Sequence, residues 1–324
     1  MKILFVVPGE AQGHSMIFAR RQAESLARLG TRVEVFHLRS RTSARMVLRE
    51  SLRFRKTVRA FRPHVIHAQY GTVTALFAAL GSGKVPLVIT YRGSDLNRLP
   101  SARGLRPALG RLFSQLAALR ARRIVCVSRG LKNRLWWRRS RVMILPSGVD
   151  LERFRPEPQA RVRRELGWPE QERVVLFHAG TDAPAKRLDL AERAIGEACG
   201  RSVRLEVMDG AVAPEQVPAL MNAADCLLVT SDSEGSPTVV QEALASNLPV
   251  LSVDVGDVAE QLEGVAHSRV VERDPRALGA ALTEILEPPR RSDGRKRSEE
   301  FSSERMAAQL LCLYREIAAK AEGD

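Results

Sequence analysis

The residues best placed to do chemistry are two glutamates, Glu234 and Glu242, with seven residues between them in the stretch SDSEGSPTVVQEALASNLPVLSVDV. The first lies in a loop ahead of a helix start, and the second about one and a half turns inside that helix. Ser236 and Pro237 mark the start, because a serine hydroxyl can cap a helix and proline suits the first helical position, where its missing N–H is not needed. The unpaired N–H groups of a first turn, at the positive end of the helix dipole, are a seat for phosphate. At ~1.5 Å rise per residue, Glu242 is on the order of 9 Å beyond the cap. A diphosphate seated on Gly235, Ser236, Pro237, Thr238 and Val239, with a hydroxyl-bearing ring gripped by a carboxylate at each end, fits that span. Such a ligand is a nucleotide sugar. A capped amphipathic helix with two solvated glutamates has the same pattern, and spacing alone does not separate the two.

The elements that must position this loop read clearly. Val239, Val240, Ala243 and Leu244 form one apolar stripe at helical spacing. Asn247, which tolerates a left-handed backbone, and Pro249 end the helix before the strand VLSVDV. At the other end of the chain, KILFVV, the loop PGEAQGHS, a helical run to Leu29 and RVEVFHL open a parallel sheet as a βαβ unit. HVIHAQYG, VPLVITYRGSD, ARRIVCVS and RVMILPSG continue the alternation, and VVLFHAG, VRLEVMDG and CLLVT repeat it later. Gly9 and Gly13 let backbone approach a ligand at the carboxyl end of the first strand, where open α/β sheets bind. Their spacing is not a dinucleotide fingerprint, and a plain tight turn explains them equally well.

The run of Glu, Gly, Pro, then Glu-Ala-x-Ala and Pro-Val resembles the signature of the retaining glycosyltransferases of family 4, whose paired glutamates match Glu234 and Glu242. The resemblance implies the GT-B fold: α/β, with two facing Rossmann-like domains, a cleft between them and a C-terminal helix crossing back to the first. It covers nearly the whole chain and is densest from residue 141 to 260. It assigns Glu234 to the transferred sugar and Lys186 to the donor diphosphate. Family members usually carry an arginine directly after the glycine that ends the preceding strand. Here Gly180 is followed by Thr181, and Arg187 stands where a glycine is usual, so Arg187 is the candidate to replace the lost charge. A cation at a helix start opposes the dipole, which favours an anionic ligand beside Lys186.

In the first domain the resemblance places Gly9, Gly13, His67 and Asp95 on the acceptor side. The family's His-Gly-x-Asp segment appears as Arg92-Gly93-Ser94-Asp95. An arginine there can hold a phosphate or carboxylate bidentately but cannot do the work of a titrating imidazole, and a structural Arg–Asp pair is the alternative. Ile144 to Asp150, dense in Pro and Gly, reads as an interdomain junction. The predicted domains are residues 1–149, completed by a helix over 299–322, and residues 150–298.

Charge divides the same way. Residues 1–149 carry +24 and residues 150–324 carry −10, within a total of +14. A basic half joined to an acidic half predicts a first domain that faces something anionic. Residues 39–62 hold nine basic residues and a single acid, Glu50, interleaved with Met46, Val47, Leu52, Phe54, Val58 and Phe61. That pattern suits an anionic membrane surface and equally a solvated helix covering a sheet. Trp136 and Trp137 within RLWWRRSR add interfacial aromatics or core residues. The opening apolar run is too short for a signal peptide, no run approaches a spanning helix, and the four cysteines show no metal-like spacing. These features predict a cytoplasmic protein, peripheral on the inner face of the membrane.

The reading is a retaining, metal-independent glycosyltransferase in cell-surface polysaccharide synthesis. It takes a nucleotide diphosphate sugar as donor substrate, no cofactor, and a sugar or lipid-linked acceptor, and it binds no nucleic acid. Two competitors stand beside it. A nucleotide-sugar epimerase shares the fold but not the paired-glutamate motif. A nucleic-acid binder would suit a pI near 10.5, but the sequence has only 16 aromatic residues and no stacking cluster among them.

Overall fold

The strands pair in parallel throughout, because each is followed by a helix that carries the chain back to the same end of a sheet. The computed structural model describes all residues except 11–15, 40–42, 99–103, 181, 199–202 and 323–324. The chain divides into two compact units, one of residues 1–98, 102–148 and 303–324, the other of 99–101 and 149–302.

The first unit contains β1 (Lys2–Pro8), α1 (Ile17–Arg28), β2 (Arg32–Leu38), α2 (Ala44–Phe61), β3 (Val65–Ala68), α3 (Thr72–Gly81), β4 (Leu87–Tyr91), α4 (Leu105–Arg120), β5 (Arg123–Cys126), α5 (Arg129–Arg134) and β6 (Val142–Ile144). Its sheet has the order β2-β1-β3-β4-β5-β6. One face is covered by α2, α3 and α4, whose Phe54, Phe77, Ala78 and Ala117 pack on Leu4, Phe36, Ile66 and Ile89.

The second unit contains α6 (Gln159–Leu166), β7 (Arg173–Gly180), α7 (Ala183–Lys186), α8 (Leu188–Glu197), β8 (Val203–Asp209), α9 (Val217–Ala223), β9 (Cys226–Val229), α10 (Thr238–Ala245), β10 (Val250–Val253), α11 (Val258–Gln261), β11 (Arg269–Val271), α12 (Pro275–Leu286) and α13 (Gly294–Ser298). Its sheet has the order β11-β10-β9-β7-β8. Asp225, buried just before β9, accepts from Arg163 of α6 at 2.8 Å and from the Val174 N–H of β7 at 2.8 Å, so one carboxylate joins a helix to two strands. Its own charge is compensated within the pair, which is what burial of a carboxylate requires.

The last helix, α14 (Ser303–Glu322), belongs to the first unit. It covers the opposite face of the first sheet together with α1, through Met306, Leu310, Tyr314 and Ile317. The predicted start at residue 299 falls inside a 3-10 turn over Glu299–Phe301, and the α-helix begins only at Ser303. Gly148 lets this junction close, since a Cβ there would stand 2.6 Å from the Ser303 Cα.

One polar contact pins α14. The Tyr314 hydroxyl meets Nδ1 of His67, and Nε2 of His67 meets Thr90 Oγ1 at 2.6 Å, all buried. Burial holds His67 well below the ordinary imidazole range, so it is neutral. Tyr314→Phe keeps the ring and removes the hydroxyl from a buried pair. It should lower the unfolding free energy by roughly 1–3 kcal/mol, read from urea denaturation; a wild-type midpoint would show that α14 is held by its apolar face alone.

Candidate active site

Both sheets have a switch point, where strand order reverses, and open α/β sheets bind ligands outside the carboxyl ends of such strands. In the second sheet it lies between β7 and β9. β7 ends at Gly180, with φ +55 after a shift of register against β8 between His178 and Gly180. Asp182 then caps the single turn of α7 by accepting from the Ala185 N–H at 3.2 Å, and α7 ends at Lys186. Arg187, in the left-handed region at φ 60, turns the chain into α8.

That turn is tied to the residues after β9. The Thr230 hydroxyl lies 2.9 Å from the Lys186 carbonyl and 3.0 Å from that of Arg187, and the Asp232 N–H donates to the Ala185 carbonyl at 3.1 Å. The result is that Lys186 Nζ and the Glu234 carboxylate, 48 residues apart, form a half-buried ion pair. Charge-assisted contacts of this kind are among the stronger ones when partly shielded from water.

Arg187 holds Asp189 bidentately at 2.8 and 2.9 Å and reaches Asp232 at 3.2 Å. The hydrogen bonds to Arg187 bring the Asp189 carboxyl down to about 2, and the same contacts raise the guanidinium. Its guanidinium is therefore committed to two carboxylates in this structure. Arg273, which sequence reasoning missed, braces the loop from the other side by donating to the carbonyls of Thr230 at 2.6 Å and Ser231 at 2.8 Å. His178 was missed as well. Burial, and then the field of Lys186, push its imidazole down to about 4, so it stands neutral near the ion pair.

The start of α10 differs from the expectation in one respect. Thr238 is the first helical residue and Pro237 the residue before it, and the Ser236 hydroxyl does not cap. It is drawn instead to the loop after β10, where it hydrogen-bonds the buried Asp257 carboxylate and lies 3.2 Å from Gln261 Nε2. No side chain caps α10, so its first N–H groups keep the character of an anion seat. Gly235 is buried, Val239 lies in the core, and Glu242 is half-buried. At the far end Asn247, at φ 54, closes the helix with the Leu248 N–H bonded to the Ala243 carbonyl. Gly256, at φ +64, packs against the Glu234 loop, and a Cβ there would stand 3.1 Å from both Glu234 Cβ and the Gly235 carbonyl.

In the first unit, the switch point between β1 and β3 gathers a second polar cluster. Gly9 follows β1 at φ 98 and donates its N–H to the Leu38 carbonyl at 3.1 Å; Gly13 lies outside the described residues. Arg92 donates to the Gln69 carbonyl at 3.1 Å, to Gln69 Oε1 at 2.5 Å and to Ser147 Oγ at 3.0 Å, with its guanidinium 3.8 Å from the Phe18 ring centre. Asp95 is fully buried and accepts from the backbone N–H groups of Gly71, Arg92 and Gly93 at 2.9–3.1 Å. The carboxylate thus shapes the Arg92 loop through its backbone and forms no pair with the guanidinium.

These two units, each with polar residues gathered at a switch point, have the GT-B architecture. The chain belongs to glycosyltransferase family 4: the model described as Glycosyltransferase Family 4 matches residues 10–153, and that described as Glycosyl transferases group 1 matches residues 160–288. A teichuronic acid biosynthesis glycosyltransferase TuaC of Bacillus subtilis, itself named as putative, is 30% identical over 68% of this chain and 61% of its own length. The chain thus spans about three-fifths of that relative. The sucrose-phosphate synthase of Thermosynechococcus elongatus has the same fold, with a TM-score of 0.82 at 18% identity over 99% of this chain and 100% of its own. So does HepE of Anabaena in complex with UDP, with a TM-score of 0.76 at 16% identity over 98% and 100%.

Asp257 offers a test of the network beneath the loop. Burial raises its carboxyl to about 6, so the folded chain keeps a proton that the unfolded chain, at 3.8, has lost. Its contribution is fully present below pH 3.8 and is lost as pH rises through 6. His178 has the opposite sign: the unfolded imidazole takes up a proton below 6.5 that the folded one refuses until about 4. In the wild type the two slopes oppose each other between pH 4 and 6. Asp257→Asn should therefore raise the melting temperature at pH 8 and make stability fall more steeply from pH 6 to 4. Parallel melting curves for variant and wild type over that range would show that Asp257 titrates normally.

Proposed function

We propose that the protein is a retaining glycosyltransferase whose second unit holds a nucleoside diphosphate sugar. The Lys186–Glu234 pair at the uncapped start of α10 carries this reading. In the donor complex the ammonium moves from Glu234 to the diphosphate, whose oxygens also take the first N–H groups of α10. The freed Glu234 carboxylate accepts from sugar hydroxyls, and Glu242 accepts from the nucleoside. UDP in HepE, a protein of the same fold, is consistent with such a donor. Membership of family 4 favours transfer over epimerisation.

The bond from the anomeric carbon to the diphosphate oxygen breaks as the acceptor oxygen bonds to the same face. The acceptor proton passes to the departing diphosphate, and Lys186 and the helix start stabilise the charge that develops on it. Those groups supply the charge that a metal would otherwise bring. The acceptor is lipid-linked or a growing saccharide held by the first unit, at an anionic surface. From Arg39 to Val149 the only acids are Glu50 and Asp95, and both are buried.

Glu242→Ala should weaken binding of free UDP, whereas Glu234→Ala should leave UDP binding near wild type and cut transfer. A lost charged hydrogen bond costs roughly 1.5–3 kcal/mol, or about tenfold to a hundredfold. Calorimetry with UDP beside a turnover assay separates the two, and wild-type values for both variants would remove α10 from the donor site. Proton NMR of the first-formed product, with chelator present, should show retained anomeric configuration. An inverted product, or activity that returns only with magnesium or manganese, would refute the chemistry.

A further inference from the structure

β7 carries a titratable side chain that the donor chemistry does not use. Val174 to Phe177 are buried, whereas His178 is partly exposed near the carboxyl end of the strand, at the switch point of the sheet. A parallel strand favours aliphatic residues, and a neutral imidazole brings one N–H and one lone pair that burial leaves to be satisfied. Elsewhere in the chain such needs are met. Both ring nitrogens of His67 are bonded, to Tyr314 and Thr90, and Nδ1 of His64 accepts from the Lys2 N–H at 3.0 Å. Among the described residues, neither ring nitrogen of His178 has a hydrogen-bond partner. One edge of the ring turns toward the loop that follows the strand. A Cβ on Gly180 would stand 3.4 Å from its Cε1 and 3.8 Å from its Nε2, so the glycine places no side chain over that edge.

Two charges act on this ring. The Lys186 ammonium, at the end of α7, lowers its proton affinity, and the Glu234 carboxylate, in the loop after β9, raises it. Other charged groups on the elements around β7 hold one another or the main chain. Asp182 caps α7, Arg187 and Asp189 pair at the start of α8, and Glu206 on β8 pairs with Arg204. Asp209, at the end of β8, accepts from the Ala211 N–H, and Asp225 before β9 pairs with Arg163. α8 turns Leu190, Ala191 and Ala194 inward, and α9 carries no charged residue. With Lys186 and Glu234 paired, the charge beside the ring sums to zero. A bound diphosphate makes it negative. An anion within ~4–6 Å raises a histidine by about 1–3. The free ring, held near 4, then reaches roughly 5–7.

On the reading that the second unit holds a nucleoside diphosphate sugar, we propose that His178 is a further donor-binding residue: as the diphosphate arrives, its imidazole takes one proton from solvent and becomes a second cation, beside Lys186, on the phosphate oxygens. Linkage is reciprocal, so the factor by which nucleotide favours the protonated ring is the factor by which protonation favours nucleotide. Donor affinity therefore strengthens as pH falls through the raised value, and release of the nucleoside diphosphate returns the proton.

The probe is UDP, with GDP and ADP beside it, and the readout is the His178 Cε1–H proton resonance, assigned by its loss in His178→Gln. Without nucleotide its midpoint should lie near 4, and with saturating nucleotide it should rise to roughly 5 or above. In the nucleotide-free protein Lys186→Ala should also raise it, because a cation leaves and Glu234 stays. His178→Gln keeps a hydrogen-bonding side chain that does not titrate. By calorimetry, the factor by which the wild type binds nucleotide more tightly than this variant should grow roughly twofold or more between pH 8 and pH 5. Titration of the nucleotide itself is common to both proteins and cancels. A His178 midpoint that neither bound nucleotide nor Lys186→Ala moves, or a ratio that stays flat with pH, overturns the proposal and leaves the donor reading standing. Failure of the wild type to bind any of the three nucleotides sinks both.

Discussion

The structure depends first on the parallel pairing of its strands. A parallel strand can be reached only by a crossover, so every loop that follows a strand emerges at the same edge. Where strand order reverses, two such loops diverge and leave a crevice between them. In the second unit those loops carry Gly180 to Lys186 and Thr230 to Glu234, so residues 48 apart in sequence become ion-pair partners without any long excursion of the chain. In the first unit the same geometry gathers Gly9, Gln69 and Arg92 near the ends of neighbouring strands. The site chemistry is a consequence of topology before it is a consequence of side chains.

Side chains then decide how firmly the loops are held. Around the Lys186–Glu234 pair, the Thr230 hydroxyl, the Asp232 N–H and the arginines at 187 and 273 all anchor the scaffold rather than the pair itself. Asp232 is shared by both arginines, at 3.2 and 3.4 Å, so the acidic loop is neutralised from two sides. Lys186 itself is paired with the Glu234 carboxylate. Gly256 sets the distance of closest approach, because any side chain there would press on the loop that carries Glu234.

Much of this was legible in the sequence, and the reasons for the misses are physical. The alternation of apolar runs with helical stripes marked both sheets, and the pattern around Pro237 marked the loop and helix start that carry Glu234 and Glu242, because these are local patterns. The Asn247 turn is local too, and it closes α10 as its left-handed tolerance implies. Ser236 misled because its hydroxyl had a competing partner, Asp257, that lies 21 positions away and meets it only once β10 is paired. His178 reads as one more residue of a buried strand, and its proximity to Lys186 is a tertiary fact. Arg273 gives no signal at all, since its closest partners are main-chain carbonyls that any residues could supply. The Arg92–Asp95 pair failed for a related reason: a buried carboxylate was satisfied by backbone N–H groups, which sequence does not display.

The charge imbalance between the halves acquires a meaning only with burial in hand. A surplus of +24 over residues 1–149 could belong to a solvated surface laced with ion pairs. Instead the acids of the segment from Arg39 to Val149 are consumed internally, Glu50 by Arg53 and Asp95 by the main chain, so neither offsets the arginines outside. Trp136, 62% exposed, sits on this surface, while Trp137 is tethered through its indole N–H to the Gln115 carbonyl at 2.7 Å. Removing carboxylates from the surface costs nothing in folding if water screens the remaining cations. It leaves Glu50 with Arg53 as an ion pair made within the segment among the described residues. A pair that does form there reaches outside the segment, from Arg123 to Glu316 of α14, so the last helix supplies an acid that the segment itself does not offer at its surface.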